Sequence, residues 1–188
     1  MPKTVRIVHS ITIISFVLAA LSILSNLVAA TLISLPIEGS YWFYETFSTH
    51  FVCGIRYSIY TLATGLFFPL CLWLLTKIDN TKLSVVFAIW SGIICCLQTL
   101  VVIIDTILSF AEIDSPIIFE ATGLFPGGRW GSFVVGLFAY SDNIFETFGF
   151  LFYIFAAGCM LFVPLLCCCG FVLQFIINKK QNNHIEVV

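Results

Sequence analysis

The sequence predicts an all-α integral membrane protein, an antiparallel four-helix bundle with both termini cytosolic and short loops. Three observations lead to this fold class. Hydrophobic residues make up 60% of the 188 residues and charged residues only 10%, whereas soluble domains carry about 25% charged residues. Mean hydropathy is +1.08. The apolar residues form four long runs, and a helix needs about 20 apolar residues to cross a bilayer.

The charged residues divide between the two sides of these runs. With both ends of the chain in the cytosol, most basic residues fall inside and most acids outside. The inner basic residues are Lys3, Arg6, Lys77, Lys82, Lys179 and Lys180, and the outer ones are Arg56 and Arg129. Because Lys and Arg near helix ends set the orientation of membrane helices, this asymmetry predicts the topology.

The first helix is predicted over about 9–34. This run is too long for the apolar region of a cleaved signal peptide, so we expect it to remain as a membrane anchor. Pro36 follows it, and proline commonly lies just past a helix end. A first outer loop covers about 36–54 and contains an aromatic cluster suited to the headgroup zone.

The second helix is predicted over about 55–75 and the third over about 83–110, joined by an inner turn at 76–82. Because this turn is polar and very short, the two helices should be antiparallel neighbours. A second outer loop follows over about 111–145. Its apolar piece at 132–140 is too short to span, and we expect it to rest on the bundle or to enter the interface.

The last helix is predicted over about 148–177. The apolar run that contains it is longer than one span and is interrupted by Pro164. It should therefore kink or tilt, or rise above the membrane at its outer end. The four helices and short loops use nearly the whole chain, so residues 1–188 are predicted to form a single transmembrane domain.

Arg56 and Asp105 are charges inside predicted spans. Counted from the inner helix ends, both lie near the same outer depth. Charges in apolar helices are costly and are usually paired. We therefore predict an Arg56–Asp105 ion pair that fixes the register of the second and third helices. The alternative is that each side chain extends separately to the headgroups.

Four small residues repeat at a spacing of four on the third helix. They are Ser84, Ala88, Gly92 and Cys96. Small residues at this spacing allow another helix backbone to approach closely, which predicts a helix-packing seam within the chain or between copies. Chance is the alternative, because small residues are frequent in membrane helices.

No set of residues in the sequence has the pattern of a catalytic, metal or cofactor site. Asn26 and Gln98 are the other mid-span polar residues, and we expect them to form hydrogen bonds between helices. No paired carboxylates, zinc motif or phosphate-binding loop occurs, and no basic patch suits nucleic acid. The sequence therefore predicts a non-enzymatic protein without cofactors.

Three of the eight cysteines are consecutive, Cys167, Cys168 and Cys169, near the cytosolic end of the last helix. Cysteines at this level are candidates for S-palmitoylation. The alternative is that they pack as small apolar residues. Only Cys53 lies in an outer loop, which excludes an extracellular disulfide framework.

The chain ends in Glu186, Val187 and Val188. An apolar residue carrying a free carboxylate can add as a strand to a PDZ domain, so a PDZ-domain protein is a candidate partner. Short tails of this kind also match by chance.

In its layout the chain resembles the MARVEL-type four-helix membrane proteins, which have compact loops on both sides. The claudin pattern fails, because the first loop is short and holds Trp42 with the single Cys53. The tetraspanin pattern fails, because Cys168-Cys169-Gly170 lies in a helix instead of an outer loop. Myelin proteolipid-like proteins share cysteine-rich helices and this topology. The resemblance implies a role in membrane organisation, trafficking or cell-junction assembly.

The function predicted from the sequence is therefore that of a tetraspan protein in the plasma membrane. It would associate laterally with copies of itself or with other membrane proteins. The alternative is a subunit or accessory subunit of an oligomeric channel or transporter, for which the polar residues within spans would line a path. A third interpretation, an intramembrane enzyme acting on lipids, lacks clustered polar groups.

Overall fold

The computed structural model describes residues 3–33, 59, 63, 65–78, 80–111, 130–139 and 144–185. Within these residues the protein is almost entirely helical and contains no strand. The helices are α1 (Lys3–Ile33), α2 (Gly65–Leu75), α3 (Thr81–Phe110), α4 (Trp130–Ala139) and α5 (Ile144–Ile185).

Three of the described helices are long and apolar enough to cross a membrane. They contain the segments Thr4–Ile33, Thr81–Phe110 and Ile144–Lys180. The predicted all-α class is thereby confirmed, and the three segments indicate a protein integrated in a membrane. The described part of α2 is a shorter apolar helix.

The helix bounds differ from the predicted ones mainly at the ends. The first helix begins at Lys3, and the last runs from Ile144 to Ile185 through Pro164 without interruption. The third helix begins at Thr81, because the side chain of Asn80 accepts a hydrogen bond of 3.0 Å from the backbone N–H of Leu83 and caps the first turn.

The contacts between helices define their relative directions. On α1 and α5, Ser22 contacts Ala156 and Ile11 lies close to Gly170, so the two helices are antiparallel. The Ser84–Asn178 and Gln98–Met160 contacts show that α3 is also antiparallel to α5. The beginnings of α1 and α3 and the end of α5 therefore lie at the same end of the protein.

Helix α5 packs against α1, α3 and α4, and the largest apolar core also includes α2. The buried members of this core are Val8 and Ala19 on α1, Phe68, Leu72 and Leu75 on α2, and Met160, Val163, Cys167 and Phe171 on α5. Phe87 of α3 stacks on Phe171 with ring centroids 5.6 Å apart. The long last helix is therefore the common packing partner of the others.

The short helix α4 packs on both α3 and α5. Phe133 stacks on Tyr153 of α5 with ring centroids 4.6 Å apart. At Gly131 the backbone comes so close to Thr106 that an added Cβ would overlap the Thr106 Cα. Glycine is therefore required where α4 meets α3.

Candidate functional site

The buried residues of α3 form a single polar row. They are Ser84, Ser91, Gln98 and Asp105, spaced by seven residues. Residues seven apart lie on the same side of a helix after two turns. Around them the helix is apolar and exposed, as at Ile89, Ile93 and Ile103. Because placing polar side chains in lipid costs free energy, the polar row of α3 faces the neighbouring helices.

Gln98 bonds to the carbonyl that Pro164 leaves without its usual donor. In a regular helix the N–H of residue 164 would donate to the Met160 carbonyl, but proline has no N–H. The Nε2 of Gln98 donates to the Met160 carbonyl oxygen over 3.3 Å. A polar group of a neighbouring helix thus satisfies the interrupted backbone, as proline in membrane helices requires.

Asp105 caps the first turn of α4. Its carboxylate accepts from the backbone N–H of Ser132 at 2.8 Å and from the Ser132 hydroxyl at 2.7 Å. Ser132 is the third residue of α4, so its N–H has no acceptor within the helix. The carboxylate also lies at the positive end of the helix dipole. Although α4 is short, it is therefore held to α3 by a charged group that is only 3% exposed.

A third polar contact joins α3 and α5 where α3 begins. The Nδ2 of Asn178 donates to the Ser84 hydroxyl at 3.4 Å, and the Nε2 of Gln174 donates to Asn178 Oδ1 at 2.9 Å. All three side chains are buried. They tie the start of α3 to the last turns of α5.

Helix α1 contributes a further set of buried polar side chains. Ser22 donates to the carbonyl oxygen of Ala156 at 2.8 Å, across the α1–α5 contact. Thr12 donates within its own helix to Val8. Asn26, predicted to bond between helices, is buried. Polar groups thus occur along much of the length of the helices.

The small residues predicted as a seam do not all lie in one contact. Ser84 is buried, the Ala88 carbonyl accepts from the thiol of Cys168 at 3.8 Å, and Gly92 lies near the same thiol. Cys96 is exposed. Residues spaced by four drift by about 40° per step around a helix of 3.6 residues per turn. The row therefore leaves the contact with α5 towards Cys96.

The three consecutive cysteines have different environments. Cys167 is buried in the apolar core, Cys168 is half-buried against α3, and Cys169 is exposed. Adjacent residues of a helix point in directions about 100° apart. The triplet therefore presents one accessible thiol.

Two predicted sites involve residues outside the described part of the chain. Arg56, the predicted partner of Asp105, is one of them, and the Glu186–Val188 tail is the other. The ion pair and the PDZ-type tail stay predictions. Among the described residues, no group of three or more His, Cys, Asp or Glu side chains could hold a metal ion.

Four members of the polar contacts were not predicted from the sequence: Ser91, Ser132, Gln174 and Asn178. For Ser91 a signal was present, because a polar residue recurs every seven positions from 84 to 105 in an otherwise apolar helix. For Ser132 there was none, since it lies in a different segment from Asp105.

Comparison with known proteins yields no match to a family model, to a curated protein or to a solved structure. The MARVEL-type resemblance therefore stays a prediction based on layout.

Proposed function

We propose that this protein is a non-enzymatic tetraspan of the plasma membrane that acts through lateral association, in membrane organisation, trafficking or cell-junction assembly. The observation that carries the proposal is the polar row of α3. Its members bond to neighbouring helices or, at Ser91, to the carbonyl of Ala88 in the same helix. These bonds hold helices together, and they leave an apolar outer surface for contact with lipid and other membrane proteins.

Among the three long helices that the structure describes, α3 presents the largest share of such surface. Only 11% of its apolar stretch is buried, against 28% for α1 and 39% for α5. This face therefore offers apolar area to a partner in the plane of the membrane. We propose it as the surface for self-association or for other membrane proteins.

The proposed topology has four spans and cytosolic ends. Antiparallel packing of α1 and α3 against α5 requires the chain to cross back between α1 and α3. The segment that contains α2 is the only apolar run in the sequence between them. The basic residues near the start of α1 and the end of α5 favour the cytosol for that side.

The association is tested by purifying the tagged full chain in mild detergent together with a second, differently tagged copy, and by mass spectrometry of what copurifies. We expect copies or specific membrane proteins to copurify. Replacing Ile89, Ile93 and Ile103 with Ala should reduce the yield of partners, whereas the same change at Ile13 and Ile14 on α1 should reduce it less. A protein that is purely monomeric in mild detergent contradicts the proposal.

The second candidate function is a subunit of an oligomeric channel or transporter. It is favoured by the buried Gln98 Oε1, which has no hydrogen-bond partner in the described part of the chain. Reconstitution into planar bilayers with conductance recording separates the two. A scaffold should be silent. A conductance that changes when Gln98 is replaced by Leu would favour the channel.

For lipidation we propose Cys169 as the acylated member of the triplet, because it alone is exposed. Hydroxylamine-sensitive acyl exchange should be lost in Cys169→Ser and retained in Cys167→Ser.

The tail from Glu186 to Val188 is proposed to bind a PDZ-domain protein. Adding one alanine after Val188 should abolish that binding, since it moves the terminal carboxylate.

A further inference from the structure

We propose that one end of the helix bundle is a binding surface for the headgroups of anionic phospholipids. The surface, called here the basic end, is formed by Arg6, Lys77, Lys82, Lys179 and Lys180. All five side chains are exposed. They come from three separate parts of the chain, and it is the packing of the helices that brings them to one end of the bundle.

This end is defined by buried residues that touch across the bundle. Ile11 of α1 and Leu72 of α2 both lie close to Gly170 of α5, about one turn from Val8 and Leu75 of the same apolar core. The start of α1 and the end of α2 therefore lie beside the C-terminal half of α5. The hydrogen bond between Asn178 and Ser84 places the start of α3 about two helical turns further along α5 than Gly170.

Each cation follows or precedes one of these buried residues by one or two positions. Arg6 lies two residues before Val8, and Lys77 lies two residues after Leu75. Lys82 lies two residues before Ser84, and Lys179 directly follows Asn178. One or two residues correspond to about 1.5–3 Å along a helix axis. The cations therefore lie at the same end of the bundle, within about two helical turns of one another along its axis.

The described residues on both sides of Asp79, between α2 and α3, form hydrogen bonds. The backbone N–H of Lys77 donates to the carbonyl of Leu74 at 2.9 Å, and the Thr76 hydroxyl donates to the carbonyl of Trp73 at 2.6 Å. Asn80 caps the following helix. Lys77 and Lys82 therefore extend from hydrogen-bonded backbone on either side of residue 79.

Charge is distributed very unequally between the two ends. Among the described residues, every Lys and Arg lies at or beside the basic end, whereas the two acids, Asp105 and Glu146, lie towards the other end. Asp79, in the turn, lies outside the described residues. Each Lys or Arg near the surface of an anionic leaflet increases the binding constant by about fivefold. Five exposed cations at one end of the bundle should therefore select anionic lipids from the surrounding bilayer.

The experiment uses quenching of tryptophan by brominated lipids. Trp73 lies two residues before Leu75 and is exposed on α2, so it reports on lipids at the basic end. The full chain with Trp42, Trp90 and Trp130 replaced by Phe is reconstituted into phosphatidylcholine vesicles. The vesicles contain increasing fractions of dibrominated phosphatidylglycerol or of dibrominated phosphatidylcholine. We expect the anionic lipid to bind beside Trp73 at least about fivefold better.

Two sets of substitutions test whether the cations cause the preference, and a tryptophan at a second position tests whether it is confined to the basic end. Replacing Lys82, Lys179 and Lys180 with Gln should bring the preference close to one, whereas Arg at the same three positions should retain it. A chain whose only tryptophan is introduced by Phe148→Trp, near Glu146 on the exposed side of α5, should show no preference for the anionic lipid. High salt should weaken the preference at Trp73, because exposed charges are screened.

The proposal is overturned by equal quenching by the two lipids at Trp73, by a preference that survives the three Gln substitutions, or by the same preference at position 148. If the Gln variant does not fold, the salt dependence of the starting protein decides. A preference unaffected by salt contradicts binding through exposed charges.

Discussion

Pro164 leaves the carbonyl of Met160 without a donor from its own helix, and Gln98 provides one from α3. The contact crosses between two helices that are both apolar on their outer sides. It fixes the rotation of α3 and its register relative to α5, since a shift by one residue would move the Gln98 amide away from the one carbonyl that needs it.

The two residues should therefore be energetically coupled. In Pro164→Ala the new backbone N–H can donate to Met160, so Gln98 is no longer needed there. We expect Gln98→Leu to be about 1 kcal/mol less destabilising in that background than in the starting protein. The measurement is a double-mutant cycle of unfolding in detergent micelles. The predicted quantity is the coupling energy between the two positions. The cost of Gln98→Leu alone is not predicted, because that substitution also removes the buried Oε1 atom.

The control for this cycle is Thr99→Val. Thr99 is exposed and bonds to Cys95 in its own helix, so its replacement should be additive with Pro164→Ala. A cost of Gln98→Leu that is the same in the Pro164→Ala background as in the starting protein contradicts the assignment.

Asp105 has two acceptor bonds to Ser132 in the structure. We expect Asp105→Ala to raise the amide hydrogen exchange of the first turn of α4 by about tenfold or more. A hydrogen bond to a charged group contributes about 1.5–3 kcal/mol. Exchange is measured by mass spectrometry on the protein in nanodiscs.

Ser109→Ala is the matched control for Asp105. It removes only the 3.1 Å contact between the two serine hydroxyls and leaves the carboxylate in place, so exchange in α4 should change little. Unchanged exchange in Asp105→Ala would show that α4 is held by its apolar contacts alone.

The predicted ion pair gives a further test at Asp105. If Arg56 also bonds to this carboxylate, Arg56→Asp and Asp105→Arg should each lower surface expression, and the double reversal should restore part of it. A double variant no better than either single one contradicts the pair.

At the scale of the helix, glycine decides where two backbones can approach. Gly131 of α4 lies against the backbone of Thr106, whereas Gly158 of α5 has no atom within 4 Å of an added Cβ. Both are helical residues, so they differ in surroundings more than in backbone conformation.

We expect Gly131→Ala to displace α4 from α3, at a cost of about 1–3 kcal/mol, because a backbone neighbour cannot move aside as a flexible side chain can. Gly158→Ala should be neutral or stabilising by up to about 1 kcal/mol through helix propensity. Thermal unfolding of the two variants in the same detergent measures the difference. Equal effects at the two positions contradict the close approach of α4 and α3.

At the scale of the whole molecule, antiparallel packing brings the start of α1 and the end of α5 to one end. For the intact chain we expect epitope tags at the two termini to be detected on the same side of the membrane. The sequence contains no Asn-x-Ser/Thr acceptor, so one can be introduced within 111–129 without background. We expect that site to be glycosylated and one placed after residue 185 to remain unmodified.

Tags detected on opposite faces of intact cells would contradict the four-span topology. They would also place the start of α1 and the end of α5 in different leaflets, which their antiparallel contacts do not allow.

Much of the fold could be predicted because apolar run length and composition act locally along the chain. The helical class, the long apolar helices and the start of α3 near residue 83 all follow from such signals. The extension of α5 to Ile185 could not be predicted in the same way. Its last turns carry Asn, Lys and Gln, and the tertiary bond between Asn178 and Ser84 supports the helix where the apolar run has ended.

The sequence by itself determined that this chain forms apolar helices, and it placed Gln98 and Asp105 inside them, because hydrophobicity and its interruptions are properties of each segment alone. Only the tertiary structure decided the partners of those polar groups. Met160 and Ser132 lie on other helices, 62 and 27 residues away along the chain. Which groups meet depends on the rotation and register of packed helices, and no local pattern encodes these.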